Sequence, residues 1–468
     1  MTITAPNPSA AEAPPLTRRP LRGVPHWWRA SSRDAFALSL VLVTGLWAFP
    51  HGVIDLTGGP AAALTSLGRL TGLTASDLLL VQVLLMARVP VIERAWGQDE
   101  LARLHRLVGF GSFNLMFVHI VLIGLGYAGS SAHGYSGLLG ELWDITWGLP
   151  GMLLAAAGTL CLVLVVVTSI RAARRRLRYE SWHLMHLYAY LGVGLALPHQ
   201  LWTGGDFLAN PLATAYWWTA WAGTAAAVIL FRLGLPLYRS LRYRLVVQAV
   251  VPEVPGVVSV YLTGRHLQEL PVRAGQFLLL RFLDGPGATR AHPYSLSAAP
   301  SGDLLRVTVK DLGDGSRQVA RLHPGTRVLV EGPYGRLTGD RRSTQKVLLL
   351  GAGIGITPLR ALAEELPQAP GDVVVVHRVR SPDEAVFHAE FEHLQRTRGL
   401  RVILVPGPRD GGSWAPVGSG GDGAAALRAV APDVAEREVY VCGPDAWMDA
   451  ARRAGVPEKR LHAERFSW

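Results

Sequence analysis

The chain has 468 residues, 49% apolar and only 17% charged, which is too long for one ordinary core and less charged than the roughly 25% of a soluble domain. Its two cysteines, Cys161 and Cys442, exclude a disulfide framework and a cysteine metal site. The formal charge of +11 is carried mostly by arginine, so arginine placement separates a nucleic-acid surface from membrane loops.

Residues 1–33 are rich in Pro, Ala and Arg without periodicity and read as a disordered cytoplasmic tail. The first apolar run starts too late, and with no evident cleavage site, to be a convincing signal peptide. Six apolar segments follow, at 35–56, 73–92, 107–128, 149–170, 181–203 and 212–231. Each approaches the ~20 residues that cross a hydrocarbon core. Asp77 and Arg88 make the second the least clean. Arginines cluster before the first segment, between the second and third, between the fourth and fifth, and after the sixth. The opposite connections hold only Arg69. This alternation predicts a multi-pass membrane protein with both termini cytoplasmic, and it excludes a nucleic-acid partner.

The third segment carries His105 and His119, and the fifth carries His183, His186 and His199. Ionisable groups in a membrane need a partner, and iron is a good one for imidazole. His105 and His119 lie ~21 Å apart along an ideal helix and within ~40° of one face. His186 and His199 match that depth at ~20 Å but sit ~140° apart. Pro198 is therefore expected to distort the helix beside His199. The depths predict two haems, one between His105 and His186 and one between His119 and His199. His183 stands as an alternative to His186, or as a propionate contact. Gly109, Gly111, Gly192 and Gly194 serve either a close-packed macrocycle or ordinary helix packing.

Beyond residue 241 the texture becomes short alternating strands at 243–251, 257–263, 276–282, 304–309 and 327–331, as in a small antiparallel barrel. Within it lies Ala291-His292-Pro293-Tyr294-Ser295-Leu296-Ser297. A flavin requires an aromatic face, a hydroxyl near N5 and a donor near its phosphates. Tyr294, Ser295 and His292 supply these in turn, unless the stretch is a turn with an exposed tyrosine. The run from Lys310 to Arg317, with Gly315 and Ser316, offers a glycine turn and a helix start for pyrophosphate, or a plain capped helix. The turn Glu331-Gly-Pro-Tyr-Gly335 closes the barrel.

From 343 onward, strands at 346–350, 372–377, 401–405 and 438–442 alternate with helices at 358–365, 384–396, 423–431 and 445–454. That order implies a parallel α/β sheet. Between the first strand and helix lies Gly351-Ala-Gly353-Ile-Gly355-Ile-Thr357-Pro358, a loop fit for pyrophosphate. Its spacing departs from the ordinary dinucleotide fingerprint. Arg378 and Arg380, past the second strand, are candidates for a 2′-phosphate, favouring NADPH over NADH.

With these motifs, the chain from about residue 34 resembles the ferric reductase and NADPH oxidase superfamily. Its C-terminal part is similar to ferredoxin–NADP reductase, on His292–Ser297, Gly351–Pro358 and Val441-Cys442-Gly443-Pro444. The resemblance implies four regions: a tail at 1–33, a six-helix transmembrane di-haem domain at 34–240, an FAD-binding β-barrel at 241–342 and an NADPH-binding α/β domain at 343–468. It implies that Cys442, flanked by Gly443 and Pro444, lies by the nicotinamide. It also implies that a C-terminal aromatic shields the flavin, Trp468 in preference to Phe466, with Glu464 nearby. The route implied runs from NADPH through FAD and two b-type haems to oxygen or a ferric or cupric ion outside. Two departures stand out: no calcium-binding domain is evident, and the outer loops are short. Other readings are a subunit serving a partner protein or quinone, and a transporter with a regulatory nucleotide domain.

Overall fold

The computed structural model describes residues 27–132, 134–177, 179–285, 290–408, 413–415 and 422–464. The chain divides into two compact units. One comprises Trp27–Ile92 with Glu100–Leu230; the other comprises Glu93–Asp99 with Phe231–Trp468.

The first unit is helical. Its main elements are α1 (Trp27–Trp47), α2 (Pro60–Leu85), α3 (Pro90–Trp96), α4 (Gln98–Ser130), α5 (Leu138–Gly148), α6 (Met152–Ser169), α7 (Tyr179–Trp202) and α8 (Pro211–Ala227). The last turns of α3 and the first residues of α4 belong to the second unit. Residues 27–33 of the expected tail are helical. Four of the six expected spans are long and apolar enough to cross a membrane: Pro60–Leu85, Gln98–Ser130, Met152–Ser169 and Pro211–Tyr243. Helices α1 and α7 have the length without the hydropathy. Arg29, Arg33 and Asp34 dilute α1; three histidines, Gln200 and tyrosines dilute α7.

Small residues set the packing. Gly158 on α6 and Gly192 on α7 face one another so closely that a Cβ on either would lie within 3 Å of the other's carbonyl oxygen. A Cβ on Gly109 would strike Gln82, and one on Gly111 would touch Leu78. Gly109, Gly111, Gly158 and Gly192 therefore serve helix packing, while Gly194 faces open space. Asp77 is buried and accepts hydrogen bonds from Ser39 Oγ at 3.0 Å and from the Tyr216 hydroxyl. Its charge is met inside the bundle, as burial in an apolar medium demands. Helix α7 continues through Pro198 to Trp202, so the chain is not unwound at His199.

The second unit begins where α8 passes through a π turn (Val228–Gly234) into α9 (Leu235–Tyr243). Six antiparallel strands follow: β1 (Val246–Val254), β2 (Val257–Thr263), β3 (Phe277–Phe282), β4 (His292–Ser295), β5 (Leu305–Lys310) and β6 (Val328–Tyr334). They form two three-stranded sheets, β1-β2-β5 and β4-β3-β6. Isolated bridges at Val246–Arg327 and Leu296–Val307 tie their edges. Leu245, Val260, Leu262, Leu278, Leu280, Leu296 and Val307 fill the space between them. The short helix α10 (Asp314–Val319) lies between β5 and β6.

The remaining elements are β7 (Val347–Ala352), α11 (Ile356–Glu365), β8 (Val373–Arg378), α12 (His388–Arg398), β9 (Arg401–Val405), α13 (Gly423–Val430), β10 (Glu438–Cys442), α14 (Asp445–Arg453) and β11 (Leu461–Ala463). The sheet order is β11-β10-β7-β8-β9, and every pairing is parallel. Continuous apolar strands such as Val347–Leu350 and Val373–Val376 are fully buried because helices cover both faces. Strand β11 was not expected from the sequence; three residues are too short to show a period.

Candidate functional site

In the helical unit, α4 presents His105 and His119, and α7 presents His186 and His199. His105 and His186 come together, with ring centres 6.1 Å apart and planes inclined at 60°. Two metal–imidazole bonds of about 2 Å, plus about 1 Å from each nitrogen to its ring centre, require a separation of about 6 Å. The separation of the pair matches that spacing. His105 Nδ1 donates to the Gln82 carbonyl at 3.0 Å, and His119 Nδ1 donates to the Gly68 carbonyl at 2.8 Å. A carbonyl can only accept, so the proton sits on Nδ1 and the Nε2 lone pair is free for a metal. His119 lies against Gly72, where a Cβ would come within 2.5 Å of its Nδ1. The Nδ1 of His199 is buried without a hydrogen bond of ordinary geometry. His186 Nδ1 is 3.4 Å from Ser169 Oγ, and its ring lies 5.0 Å from that of Trp182.

In the second unit, the segment His292–Ser295 is a strand, not a turn with an exposed tyrosine. It pairs with β3, Tyr294 opposite Leu278 and Ser295 opposite Phe277. The alternation of a strand sends Tyr294 into the apolar core, 5.9 Å from the Phe282 ring, and burial pushes its hydroxyl pKa up. His292, Pro293 and Ser295 stay half-buried. His292 sits beside Gly315, whose Cβ would be 3.4 Å from His292 Nε2. Ser316 Oγ accepts from the Leu312 amide at 2.7 Å and donates to the Gly313 carbonyl at 2.8 Å, so it folds the turn. Lys310 Nζ lies 3.7 Å from Glu384.

The glycine loop joins β7 to α11 as expected. Gly353 has φ +55°, a conformation glycine adopts freely. A Cβ on Gly351 would press on Ile356, and one on Gly355 would come within 2.4 Å of the Cys442 carbonyl oxygen. These glycines bring the loop against Cys442 and Gly443 at the end of β10, the carboxyl edge of the parallel sheet where ligands of such sheets bind. Thr357 Oγ1 donates to Ile354 O at 2.9 Å, and Pro358 is buried in the first turn of α11. Pro444 caps α14. His377 Nε2 contacts the Gly353 carbonyl at 3.2 Å; burial lowers its pKa to about 4, so it is neutral.

One feature differs from expectation. Arg378 is buried, and its guanidinium donates to the carbonyls of Val379, Val405, Gly407 and Pro408. It ties strand ends together and is not open to a 2′-phosphate. Arg380 is exposed. Phe466 and Trp468 lie outside the described residues. Glu464 is buried, and Gly335 leaves room for its carboxylate; a Cβ there would be 2.8 Å from both oxygens. Burial, then Asp99 and Glu93, push its pKa up to about 8 against the Arg336 amide and charge. Burial, and next Glu464, raise the Cys442 thiol, which stays protonated and non-nucleophilic. Arg336 also donates to the Trp96 carbonyl at 2.6 Å, and Arg341 to that of Arg94 at 2.9 Å. Sequence spacing gives no sign that residues 93–99 meet Glu464, some 365 positions away.

A second cluster was also invisible in sequence. Glu390 on α12 binds Arg306 on β5 at 2.6 and 2.9 Å and Arg360 on α11 at 2.6 Å. Arg306 Nε and Nη2 further reach Ser297 Oγ and O at 3.1 and 2.7 Å. The flavin-type segment is thus anchored to two helices of the α/β sheet.

A family model described as the ferric reductase like transmembrane component matches residues 71–197, and one described as the oxidoreductase NAD-binding domain matches residues 349–453. The class so defined is a membrane oxidoreductase with a nicotinamide-binding domain. The chain belongs to the superfamily that joins a ferric reductase-like transmembrane component to a ferredoxin reductase-type dehydrogenase. It is 34% identical over 201 residues to the 3-ketosteroid-9-alpha-monooxygenase, ferredoxin reductase component, of Mycolicibacterium smegmatis (41% of this chain, 55% of that protein). It is 33% identical over 209 residues to the glycine betaine monooxygenase reductase subunit of Chromohalobacter salexigens (42% and 56%). It is 30% identical over 213 residues to ferredoxin–NADP reductase B of Sorangium cellulosum (41% and 84%). The chain spans about half the length of the first two of these relatives.

Proposed function

We propose that this protein draws electrons from NADPH and delivers them across a cell membrane to oxygen or a ferric ion on the far side. The observation that carries this reading is the 6.1 Å approach of His105 and His186. His105 with His186 would hold an inner b-type haem, and His119 with His199 an outer one. When bound, FAD converts a two-electron hydride into single electrons, and the haems are one-electron stations. Nδ1–H bonds to the Gln82 and Gly68 carbonyls keep His105 and His119 in the ligating tautomer. His292 and Ser295 meet the flavin, and Gly315 and Ser316 shape the turn beside its phosphates. Gly351, Gly353 and Gly355 admit the nicotinamide pyrophosphate, and Arg380 takes the 2′-phosphate. Glu464 keeps a proton beside Cys442, where the nicotinamide is received. Trp468 or Phe466 covers the flavin. The arginine pattern orients both termini and the dehydrogenase to the cytoplasm, with α1 and α7 completing six crossings. The regions would then divide at 34, 241 and 343.

Anaerobic reduction of the purified chain by NADPH, with FAD added, tests this. Reduced b-type bands should appear and be reoxidised by oxygen or ferric chelate. Their absence despite ample haem supply overturns it. A second reading has support in the relatives named as reductase subunits of monooxygenases: the electrons pass to a partner protein. It predicts haem reduced by NADPH but slow reoxidation by either small acceptor.

A further inference from the structure

Helix α5, between the third and fourth apolar segments, is inside-out for a loop in water. Leu139, Trp143 and Trp147 recur every four residues, so they share one face. They are 82%, 65% and 61% exposed. The two indoles lie 5.6 Å apart. The opposite face is buried and carries one of the helix's two acids: Glu141 accepts from Ser131 Oγ at 2.7 Å, beside buried Ile145. Leu138 and Leu142 press on α4 at Gly124, where a Cβ would come within 2.6 and 2.9 Å of them. The helix is thus fixed to the bundle by Leu138, Leu142, Ile145 and Glu141, and shows Leu139, Trp143 and Trp147 outward with Asp144 at their margin. Eleven residues give about 16 Å of helix, too short for a hydrocarbon core of about 30 Å. Both neighbours, Gln98–Ser130 and Met152–Ser169, have membrane length and hydropathy.

We infer that α5 lies along the headgroup boundary of one leaflet, with Leu139, Trp143 and Trp147 seated in lipid. The occupant of this face is bilayer and not a second protein. Tryptophan pairs favour that boundary, and both flanking spans also expose apolar side chains, Phe117 and Val121 on one and Leu153 and Leu160 on the other. The inference rests on the proposed membrane setting of the helical unit.

The test uses the full chain in phospholipid nanodiscs, with a nitroxide placed at one position at a time by L139C, W143C or W147C. Cys161 is replaced by Ala, and Cys442 is fully buried, out of the label's reach. Exposed Leu160 within Met152–Ser169 supplies the lipid reference, and exposed Leu312 of the second unit the aqueous one. The ratio of oxygen to nickel-chelate collision rates should fall between the references at all three sites, nearer that of Leu160. A ratio equal to that of Leu312 overturns the inference. So does shielding from both reagents, which would mean a protein partner covers the face. If Leu160 itself reads as aqueous, the membrane setting has failed instead. Leu139 is 82% exposed, so its label stays informative if a tryptophan variant misfolds.

Discussion

Replacing Glu390 by Ala removes the one carboxylate that two buried guanidiniums share. Arg306 is 2% exposed and loses bonds of 2.6 and 2.9 Å; Arg360 loses one of 2.6 Å. Breaking a buried pair costs about 3–5 kcal/mol, because the remaining charge is stranded. Arg360 keeps Glu364 and Arg306 keeps Ser297, which places the cost near the lower end, about 3 kcal/mol. For a unit of about 240 residues, that corresponds to a fall in Tm of roughly 6–12 °C. Intrinsic fluorescence on heating reads it, since Trp414 and Trp447 sit in the core of this unit. Glu390→Leu combined with Arg306→Met should recover at least half the loss, because an apolar pair needs no counter-charge. The effect also has a pH signature. Burial alone would raise the Glu390 carboxyl, but hydrogen bonds and charge from Arg306 and Arg360 outweigh it and hold the pKa below the ordinary 4.5. A depressed acid stabilises above its unfolded value and loses that contribution as pH falls through its folded one. The gap between wild type and E390A should therefore close in acid. A shift under about 2 °C at neutral pH, or a gap that widens in acid, would refute the reasoning.

Glu464 has the opposite sign. Its pKa is raised from 4.5 to about 8, so its contribution is full below 4.5 and lost as pH rises to about 8. Relative to E464Q, wild-type stability should decline across that window in a Tm series; parallel curves contradict the assignment. His119→Ala should leave one haem per chain by pyridine haemochrome assay, with the inner site retained, whereas two haems would break the proposed pairing. Arg380→Ala should raise the KM for NADPH about tenfold, or about 1.4 kcal/mol, and leave NADH unchanged. Arg378→Ala should instead lower Tm without altering that preference, because it frees the carbonyls of Val379, Val405, Gly407 and Pro408; equal effects of the two variants would show that the guanidinium of Arg378 is not locked.

Much of this protein can be read from local sequence. Strands β2, β9 and β10 occupy the residues that their apolar runs and turn punctuation predict. The glycine loop falls between a strand and a helix, and His105 and His119 share one helix, because both depend on spacing along a single element. Partners from distant elements are another matter. Arg378 and Arg380 look alike in sequence, yet the curl of the chain after β9 surrounds one with carbonyls and leaves the other in water. Tyr294 faces the core and Ser295 does not, which follows only once β4 pairs with β3. Glu464 gains its proton from burial beside Cys442 and a segment between two membrane helices, and Glu390 meets Arg306 across a sheet boundary. Charge and burial are set by which surfaces close on one another, and only the tertiary structure decides that.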